Sequence, residues 1–234
     1  HNKLQSKTKG RFENIFYKAL YNLTEDFFEK LKIFSENADI LDYGCGTGSS
    51  LKKVVGFNPK KIVGIDISEV SIEKARNNVG NQNKNLKLLV DNCEQTKLDD
   101  NEFDLVYGTG ILHHLQINRC LNEISRVLKP GGKLLFIEPL GTNPLINFYR
   151  LLTPNSRSKD EHPLLKKDFD FIENKFSKMD IRYYGFFTLI FFPFYNNPKN
   201  SNFFKILKNL DQYFFKFSLF KKLAWSVLIV AEKN

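Results

Sequence analysis

Cysteine is scarce in this chain, and its three cysteines lie far apart. Cys45, Cys93 and Cys120 form no C-x-x-C pair among the 234 residues, which argues against a zinc site and for a reducing compartment. No uncharged apolar run reaches about eighteen residues, so no transmembrane helix is expected. No secretory signal is visible either. We therefore expect a cytoplasmic protein without a metal, and peripheral contact with the inner membrane surface is left open.

Acidic residues are the minority charge, with 26 Asp and Glu against 35 Lys and Arg, and the formal net charge is +9. A basic balance is compatible with nucleic acid, an anionic membrane or an anionic substrate. The imbalance is greatest in residues 189–222, which contain nine Phe, six Lys and one acid, Asp211. This segment is predicted to pack on the sheet or on a partner copy, or to meet a lipophilic acceptor or an anionic bilayer. One helical face is expected to carry Phe203, Leu207, Leu210, Phe214 and Phe217.

Apolar runs alternate with helical patterns through most of the chain, which favours a parallel sheet with helices on both faces. Helical spacing from Phe12 to Phe34 predicts one or two helices before the first strand. Strands are predicted at about 38–43, 61–66, 85–90, 103–108, 133–139, 179–188 and 224–232. Helices are predicted near 48–55, 69–79, 117–129 and 166–176.

A glycine-rich turn follows the first predicted strand, in the segment ILDYGCGTGSS of residues 40–50. Glycines at 44, 46 and 48 let a ligand approach the backbone, and Asp66 at the end of the next strand can bind ribose hydroxyls. A dinucleotide fingerprint has the spacing G-x-G-x-x-G, whereas here the third glycine comes one residue early. The turn therefore indicates a nucleoside-bearing cofactor and suits a diphosphate poorly.

The order of five segments resembles the class I S-adenosylmethionine (SAM)-dependent methyltransferases, in the small-molecule group of methyltransferases. The segments are ILDYGCGTG, VVGIDIS, VDNCEQ, FDLVYGTGILHHL and LKPGGKLLFIEP. The resemblance implies a Rossmann-like, doubly wound α/β sheet of seven strands, mostly parallel with an antiparallel last strand. It favours a single domain over 1–234, with a helical N-terminal lid (1–37), a cofactor-binding core (38–140) and substrate-cap insertions (141–165 and 189–222).

The resemblance also implies SAM as cofactor and a site at the carboxyl ends of the strands. The glycines would contact the methionine and ribose parts, Asp42 would orient the amino group, and Asp66 would bind the ribose. Ile67 would lie against the adenine and Asp91 would accept from its amino group, although Asp42 and Asp91 could instead cap helices. The implied cofactor residues are Asp42, Gly44, Gly46, Gly48, Asp66, Ile67, Asp91, Asn92, Cys93, Gly108 and Thr109.

Two histidines are candidates for catalysis, because a hydroxyl acceptor must lose its proton and histidine is the natural base. His113 follows the fourth strand and is predicted to be a base or a substrate contact, with His114 packed against the sheet; both could equally be structural. His162 lies in a polar island with Arg157, and Glu138 is expected to point toward the pocket. The alternative is that the residues of this polar island belong to a solvated loop without a role in catalysis.

The acceptor is expected to be small or lipid-like and to be methylated at oxygen, with nitrogen and carbon left open. The N-P-P-Y-like tetrad and the Pro-Cys pair of base methylation are missing, so a nucleic-acid partner is not expected. Two other functions stay open: a NAD-dependent oxidoreductase on a related sheet, and a non-catalytic subunit that binds SAM.

Overall fold

The computed structural model describes residues 15–80, 83–153 and 161–234. Seven strands form one sheet in the order β3-β2-β1-β4-β5-β7-β6. Strands β1 to β5 are parallel, whereas β7 pairs antiparallel with β5 and with β6. The strands are β1 (Asp39–Tyr43), β2 (Lys61–Asp66), β3 (Leu86–Val90), β4 (Phe103–Thr109), β5 (Leu128–Pro139), β6 (Phe176–Tyr184) and β7 (Ser226–Lys233).

Helices connect the strands, preceded by a 3₁₀ helix at Ile15–Leu20. The α-helices of the described residues are α1 (Tyr21–Ser35), α2 (Leu51–Val54), α3 (Glu69–Val79), α4 (Ile117–Val127), α5 (Pro144–Leu152), α6 (Lys166–Lys175), α7 (Phe187–Ile190), α8 (Asn202–Phe214) and α9 (Ser218–Lys221). Short 3₁₀ helices occur at Val55–Phe57, Leu112–His114, Phe192–Phe194 and Pro198–Asn200. No described helix is both long enough and apolar enough to pass through a bilayer.

The core lies on both faces of the sheet, because successive strand side chains point to opposite sides. In β1, Ile40 joins the cluster formed with α1, α2 and α3, whereas Leu41 joins the cluster formed with α4 and α6. In β4, Leu105 and Val106 divide in the same way. The predicted doubly wound α/β fold, with seven strands and an antiparallel last strand, is confirmed.

Several predicted boundaries were wrong, and left-handed glycines explain most of them. Gly48 has φ +78°, which a helix cannot use, so the helix predicted from 48 begins at Leu51. Leu128 already pairs with Phe103, and the chain turns at Gly131 (φ +75°), so β5 begins before the predicted 133 and α4 ends before 129. Gly185 (φ +83°) ends β6 at Tyr184, four residues short of the predicted end.

The segments outside the cofactor-binding core also differ from the predicted pattern. Residues 141–165 contain α5, which was not predicted; its first turn is capped by Asn143, whose side-chain oxygen accepts from two backbone N–H groups. The predicted apolar face of 203–217 is only partly buried: Leu207 is buried, whereas Phe203 and Leu210 are exposed, and α8 ends at Phe214 before Phe217. The buried face of α8 carries Phe204, Leu207 and Asp211. The predicted N-terminal lid stays a prediction, and its helix α1 packs into the core.

Candidate active site

The carboxyl ends of β1, β2, β3 and β4 meet at one edge of the sheet, where the predicted cofactor residues follow them. Gly44, Gly46 and Gly48 have φ values of +75°, +52° and +78°, a region that L side chains rarely adopt. A Cβ atom on Gly44 would lie 2.6 Å from the Ile111 side chain, whereas one on Gly46 would meet nothing within 4 Å. Gly46 therefore opens onto free space while Gly44 is packed.

Asp66 ties this turn to the end of β2. One carboxylate oxygen accepts from the Gly46 N–H at 3.0 Å, and the other accepts from the Ser68 N–H at 2.8 Å. Ser68 in turn caps α3 by accepting from the Ser71 N–H. The next residue, Ile67, exposes 64% of its side chain at the same edge. The acid and the exposed apolar side chain are thus adjacent, as a bound sugar and base would require.

Asp42 lies beside the turn and is buried, and Tyr107 donates a hydrogen bond of 2.8 Å to it. The pKa of Asp42 is raised to about 7, chiefly by burial, with the Tyr107 hydroxyl opposing the shift and the nearby charge of Asp66 adding to it. Tyr107 is the register partner of Asp42 across β1 and β4. Sequence reasoning missed it, although strand alternation in neighbouring β1 and β4 could have placed the two on one face.

Asp91 organises the loop after β3. It is buried, and its two oxygens accept from the backbone N–H groups of Asn92 (2.8 Å) and Lys97 (2.9 Å). Asn92 is exposed, whereas Cys93 is buried and its carbonyl accepts from the Tyr43 hydroxyl. This carboxylate holds the loop in shape, so only its remaining lone pairs are left for a ligand.

The cysteine of the glycine turn is inert. Cys45 is buried, and burial raises the pKa of its thiol well above the usual range, with the charges of Asp42 and Asp66 adding to the effect. Buried structural cysteines of this kind are unreactive.

Gly108 and Thr109 end β4 next to the glycine turn. A Cβ atom on Gly108 would lie 2.6 Å from Phe136 and 2.8 Å from the Tyr43 carbonyl oxygen, so only glycine fits there. Gly110 follows with φ +61° and donates to the Ile137 carbonyl at 2.7 Å. The end of β4 is thereby held against β1 and β5 at the edge where the predicted cofactor residues lie.

Glu138 and His113 form a buried pair at the end of β5. Oε1 of Glu138 accepts from the N–H groups of Ile111 (2.9 Å) and Leu112 (2.8 Å), and Oε2 lies 2.7 Å from Nδ1 of His113. The side chains are 0% and 4% exposed respectively. Since a carboxylate with two N–H donors is an acceptor, His113 donates from Nδ1 and keeps Nε2 as its acceptor.

The buried member of the histidine pair is His113, whereas His114, which was predicted to pack on the sheet, is only half-buried. Their ring centroids lie 4.1 Å apart. His162 is exposed; its N–H donates to the His113 carbonyl at 2.8 Å and its Nε2 donates to the Leu115 carbonyl at 2.7 Å. The structure thus brings both candidate histidines together, through the backbone.

Two arginines, Arg150 and Arg157, belong to the segment 141–165, which was predicted to be a substrate cap. Arg150 in α5 donates to the Leu140 carbonyl at 3.0 Å and to the Asn147 side chain at 2.8 Å, so it serves the local fold. Arg157 lies outside the described residues. Among the described residues, no group of three or more His, Cys, Asp or Glu is arranged to hold a metal ion.

Comparison with known proteins agrees with this geometry. A family model described as "Methyltransferase domain" matches residues 41–136. A demethylmenaquinone methyltransferase of Staphylococcus saprophyticus is 30% identical over 162 residues, covering 62% of this chain and 69% of that enzyme. The sterol 4-C-methyltransferase strm-1 of Caenorhabditis elegans is 31% identical over 128 residues, covering 53% of this chain and 38% of that enzyme. The chain spans about half the length of the curated relatives it matches, from 28% to 69%.

A solved structure extends the likeness to nearly the whole fold. The geranyl diphosphate C-methyltransferase of Streptomyces coelicolor, in complex with Mg²⁺, geranyl diphosphate and S-adenosyl-L-homocysteine, superposes with a TM-score of 0.66. The match covers 99% of this chain and 85% of that one at 14% identity, so it shows a shared fold. Together with the relative from Staphylococcus, these findings place the chain in the family of class I S-adenosylmethionine-dependent methyltransferases, whose cofactor is SAM.

Proposed function

We propose that this protein transfers the methyl group of SAM to an oxygen atom of a small, lipid-like acceptor. The observation that carries the proposal is the turn at Gly46, which opens onto free space, follows the buried Asp42 in the chain and donates its N–H to the Asp66 carboxylate. A ligand with an ammonium group, a ribose and a flat base matches that arrangement of a buried acid, a second acid and an exposed apolar side chain at Ile67.

The residues present fit SAM, which when bound supplies an electrophilic methyl group on a sulfonium. Asp42 would accept from its ammonium group, and Asp66 would accept from the ribose hydroxyls with the lone pairs that Gly46 and Ser68 leave. Ile67 would cover the adenine. The loop after β3 would border the base through Asp91, Asn92 and Cys93, while Gly108 and Thr109 would border the methionine end.

His113 is proposed as the base that receives the acceptor's hydroxyl proton. Its Nδ1–H is held by the Glu138 carboxylate at 2.7 Å, which fixes Nε2 as the proton acceptor and balances the charge of the imidazolium. His162 is the second candidate, but its Nε2 is bound to a carbonyl, which leaves only Nδ1 for such a role. Glu138 acts through His113 and is thus a positioning residue.

The lipid-like character of the acceptor is supported by the apolar surface after β5. In α5, Phe148, Leu151 and Leu152 are 62%, 77% and 66% exposed. Exposed apolar side chains that lie together favour contact with an apolar ligand over a water-soluble one. The two curated relatives described above carry the names of sterol and demethylmenaquinone methyltransferases. Oxygen is preferred because Nδ1 of His113 is held by the Glu138 carboxylate, which leaves Nε2 to accept the proton of a hydroxyl acceptor.

The segments 141–165 and 189–222 are proposed to shape the acceptor pocket of a single domain, without nucleic acid as a partner. A cytoplasmic protein in peripheral contact with the inner membrane surface would meet such an acceptor where lipid-like molecules concentrate.

The direct test is product analysis with methyl-labelled SAM and a panel of hydroxylated isoprenoid, quinol and sterol acceptors, followed by mass spectrometry of the methylated atom. We expect label on oxygen. Removing a general base typically slows the reaction about a hundredfold or more, so His113→Ala should lose product and retain SAM affinity. Glu138→Gln presents a donor to Nδ1 and should lower kcat without changing the KM for SAM.

Three results would count against this proposal. SAM binding without product for any acceptor would favour a non-catalytic binding subunit. Label on carbon or nitrogen would overturn the assignment of oxygen. Normal turnover by the His113→Ala protein would remove the base.

A further inference from the structure

An exposed row of apolar side chains runs along α8 and continues into the segment before it. Phe203, Ile206, Leu210 and Tyr213 recur at helical spacing and are between 37% and 57% exposed. The Phe191 ring lies 6.2 Å from the rings of both Phe203 and Phe194, and Phe194 is 73% exposed. We call these six side chains the apolar ridge. Large exposed side chains that are contiguous, not scattered, indicate an interaction surface.

The ridge is not the face by which α8 attaches to the protein. Phe204 and Leu207 point the other way and pack with Tyr195, and the Tyr195 and Phe204 rings lie 5.1 Å apart. Asp211 on the same buried face accepts from the backbone N–H of Phe187 at 2.6 Å and from the Thr188 hydroxyl at 2.8 Å. The helix is therefore anchored without the ridge, which is left facing outward.

Within residues 189–222 the exposed charge has one sign. Residues 189–222 carry six lysines and a single acid, and that acid, Asp211, is 1% exposed and bonded inside the protein. Lys205 and Lys208 lie on the third, polar face of α8, and Lys199 and Lys216 flank the helix. Within the residues that the structure describes, none of these four lysines forms an ion pair. The surface of this segment is thus apolar and cationic, with no exposed acid to offset the lysines.

We propose that the apolar ridge docks on the surface of an anionic lipid bilayer. A helix with an apolar face and neighbouring lysines lies in the bilayer interface, where its apolar side chains enter the acyl boundary and its lysines meet anionic headgroups. A second copy of the chain is the poorer occupant, because two such surfaces would bring their unpaired lysines together. This inference names the residues that would make the membrane contact, and it rests on the proposed function. Docking itself requires neither SAM nor the acceptor.

The test is cosedimentation of the full chain with phosphatidylcholine vesicles and with vesicles containing phosphatidylglycerol, at low and high salt. We expect binding to the anionic vesicles, weakened by salt because exposed charges are screened. Replacing ridge residues by Phe203→Ser together with Ile206→Ser should lower the partition coefficient about tenfold or more. Lys205→Glu with Lys208→Glu should do the same, since each lysine near the surface contributes about a fivefold factor.

Ile33→Ser is the matched control, because Ile33 is 65% exposed on α1, outside the ridge. It should bind vesicles like the original protein, and SAM affinity and the melting temperature should be the same in every variant. Docking is overturned if the ridge variants bind as well as the control, if the protein ignores anionic vesicles, or if light scattering shows a dimer that the ridge substitutions dissociate. Failure of docking with intact SAM binding and methyl transfer would leave the enzyme proposal standing.

Discussion

Gly46 and Gly131 share a left-handed backbone and open surroundings but lie in different parts of the fold. Their φ values are +52° and +75°, and a Cβ atom at either position would meet no protein atom within 4 Å. Alanine at either site should therefore cost a similar strain of about 1–2 kcal/mol. Gly46 lies in the turn that we assign to SAM, whereas Gly131 lies near the start of β5.

We expect Gly46→Ala to weaken SAM binding about tenfold or more, because the new methyl group enters the space that the ligand needs. Gly131→Ala should bind SAM normally with a similar loss of thermal stability. Titration calorimetry and melting curves of the two variants measure both effects. Equal SAM affinity in the two proteins would show that the turn is not the seat of the cofactor.

Asp42 should make SAM binding depend on pH. With a pKa raised to about 7 by burial, the carboxyl group is neutral below that pH and must lose its proton before it can pair with an ammonium group. Affinity for S-adenosylhomocysteine should thus rise with pH up to about 7 and then level, by at most about tenfold per pH unit. Calorimetry across this range measures the slope.

Two substitutions isolate this carboxyl group. Asp42→Asn should flatten the profile, and Tyr107→Phe should move the midpoint upward, because the hydroxyl that lowers the pKa of Asp42 is lost. A profile that both variants leave unchanged would mean that another group titrates. Neither substitution changes the glycine turn itself, so a loss of affinity at all pH values would indicate damage beyond this carboxyl group.

At the scale of the elements, the sequence predicted the seven strands and the glycine turn, although several boundaries differ. It did not predict α5 or the buried face of α8. The glycine turn and the acid after β2 follow local rules of backbone and sheet, so the chain reveals them directly. The burial of α8 follows from distant groups instead: Asp211 turns inward because the N–H groups of Phe187 and Thr188 need an acceptor. A pattern that weighs hydrophobicity alone puts Asp211 outside and Phe203 inside, which is the reverse of the structure.

That carboxylate should decide whether α7 and α8 stay together. Asp211→Ala leaves buried backbone donors without an acceptor, which typically costs about 1–3 kcal/mol. Asp211→Asn retains one acceptor oxygen and should cost less. Gln212→Ala, an exposed neighbour on the same helix, is the matched control and should change little. Urea unfolding curves measure the differences, and equal stability of the alanine variants would contradict the role of Asp211.

At the scale of the whole molecule, two large core clusters pack on the two faces of the seven-stranded sheet, and the residues predicted to bind the cofactor follow the ends of its parallel strands. This much follows from sequence, because the motifs report strand ends and strand ends of parallel neighbours share an edge. The partnerships of Tyr107 with Asp42 and of Glu138 with His113 are harder to predict, since they require the order of the strands in the sheet as well as the alternation of side chains along each strand. The sequence therefore predicts where the backbone of the site lies, but it does not directly predict which side chains pair there.

Binding at this edge should stabilise the whole fold, because SAM would bind the native state and not the unfolded chain. At a hundredfold excess over Kd the gain is about 2.7 kcal/mol, which for a chain of this size raises Tm by roughly 5 to 10 °C. Differential scanning fluorimetry with SAM, S-adenosylhomocysteine and NAD separates the cofactors. Asp66→Asn, which keeps one acceptor oxygen for the turn but loses charge toward the ribose, should show a smaller shift with SAM. An equal shift with NAD, or none with SAM, would contradict the assignment.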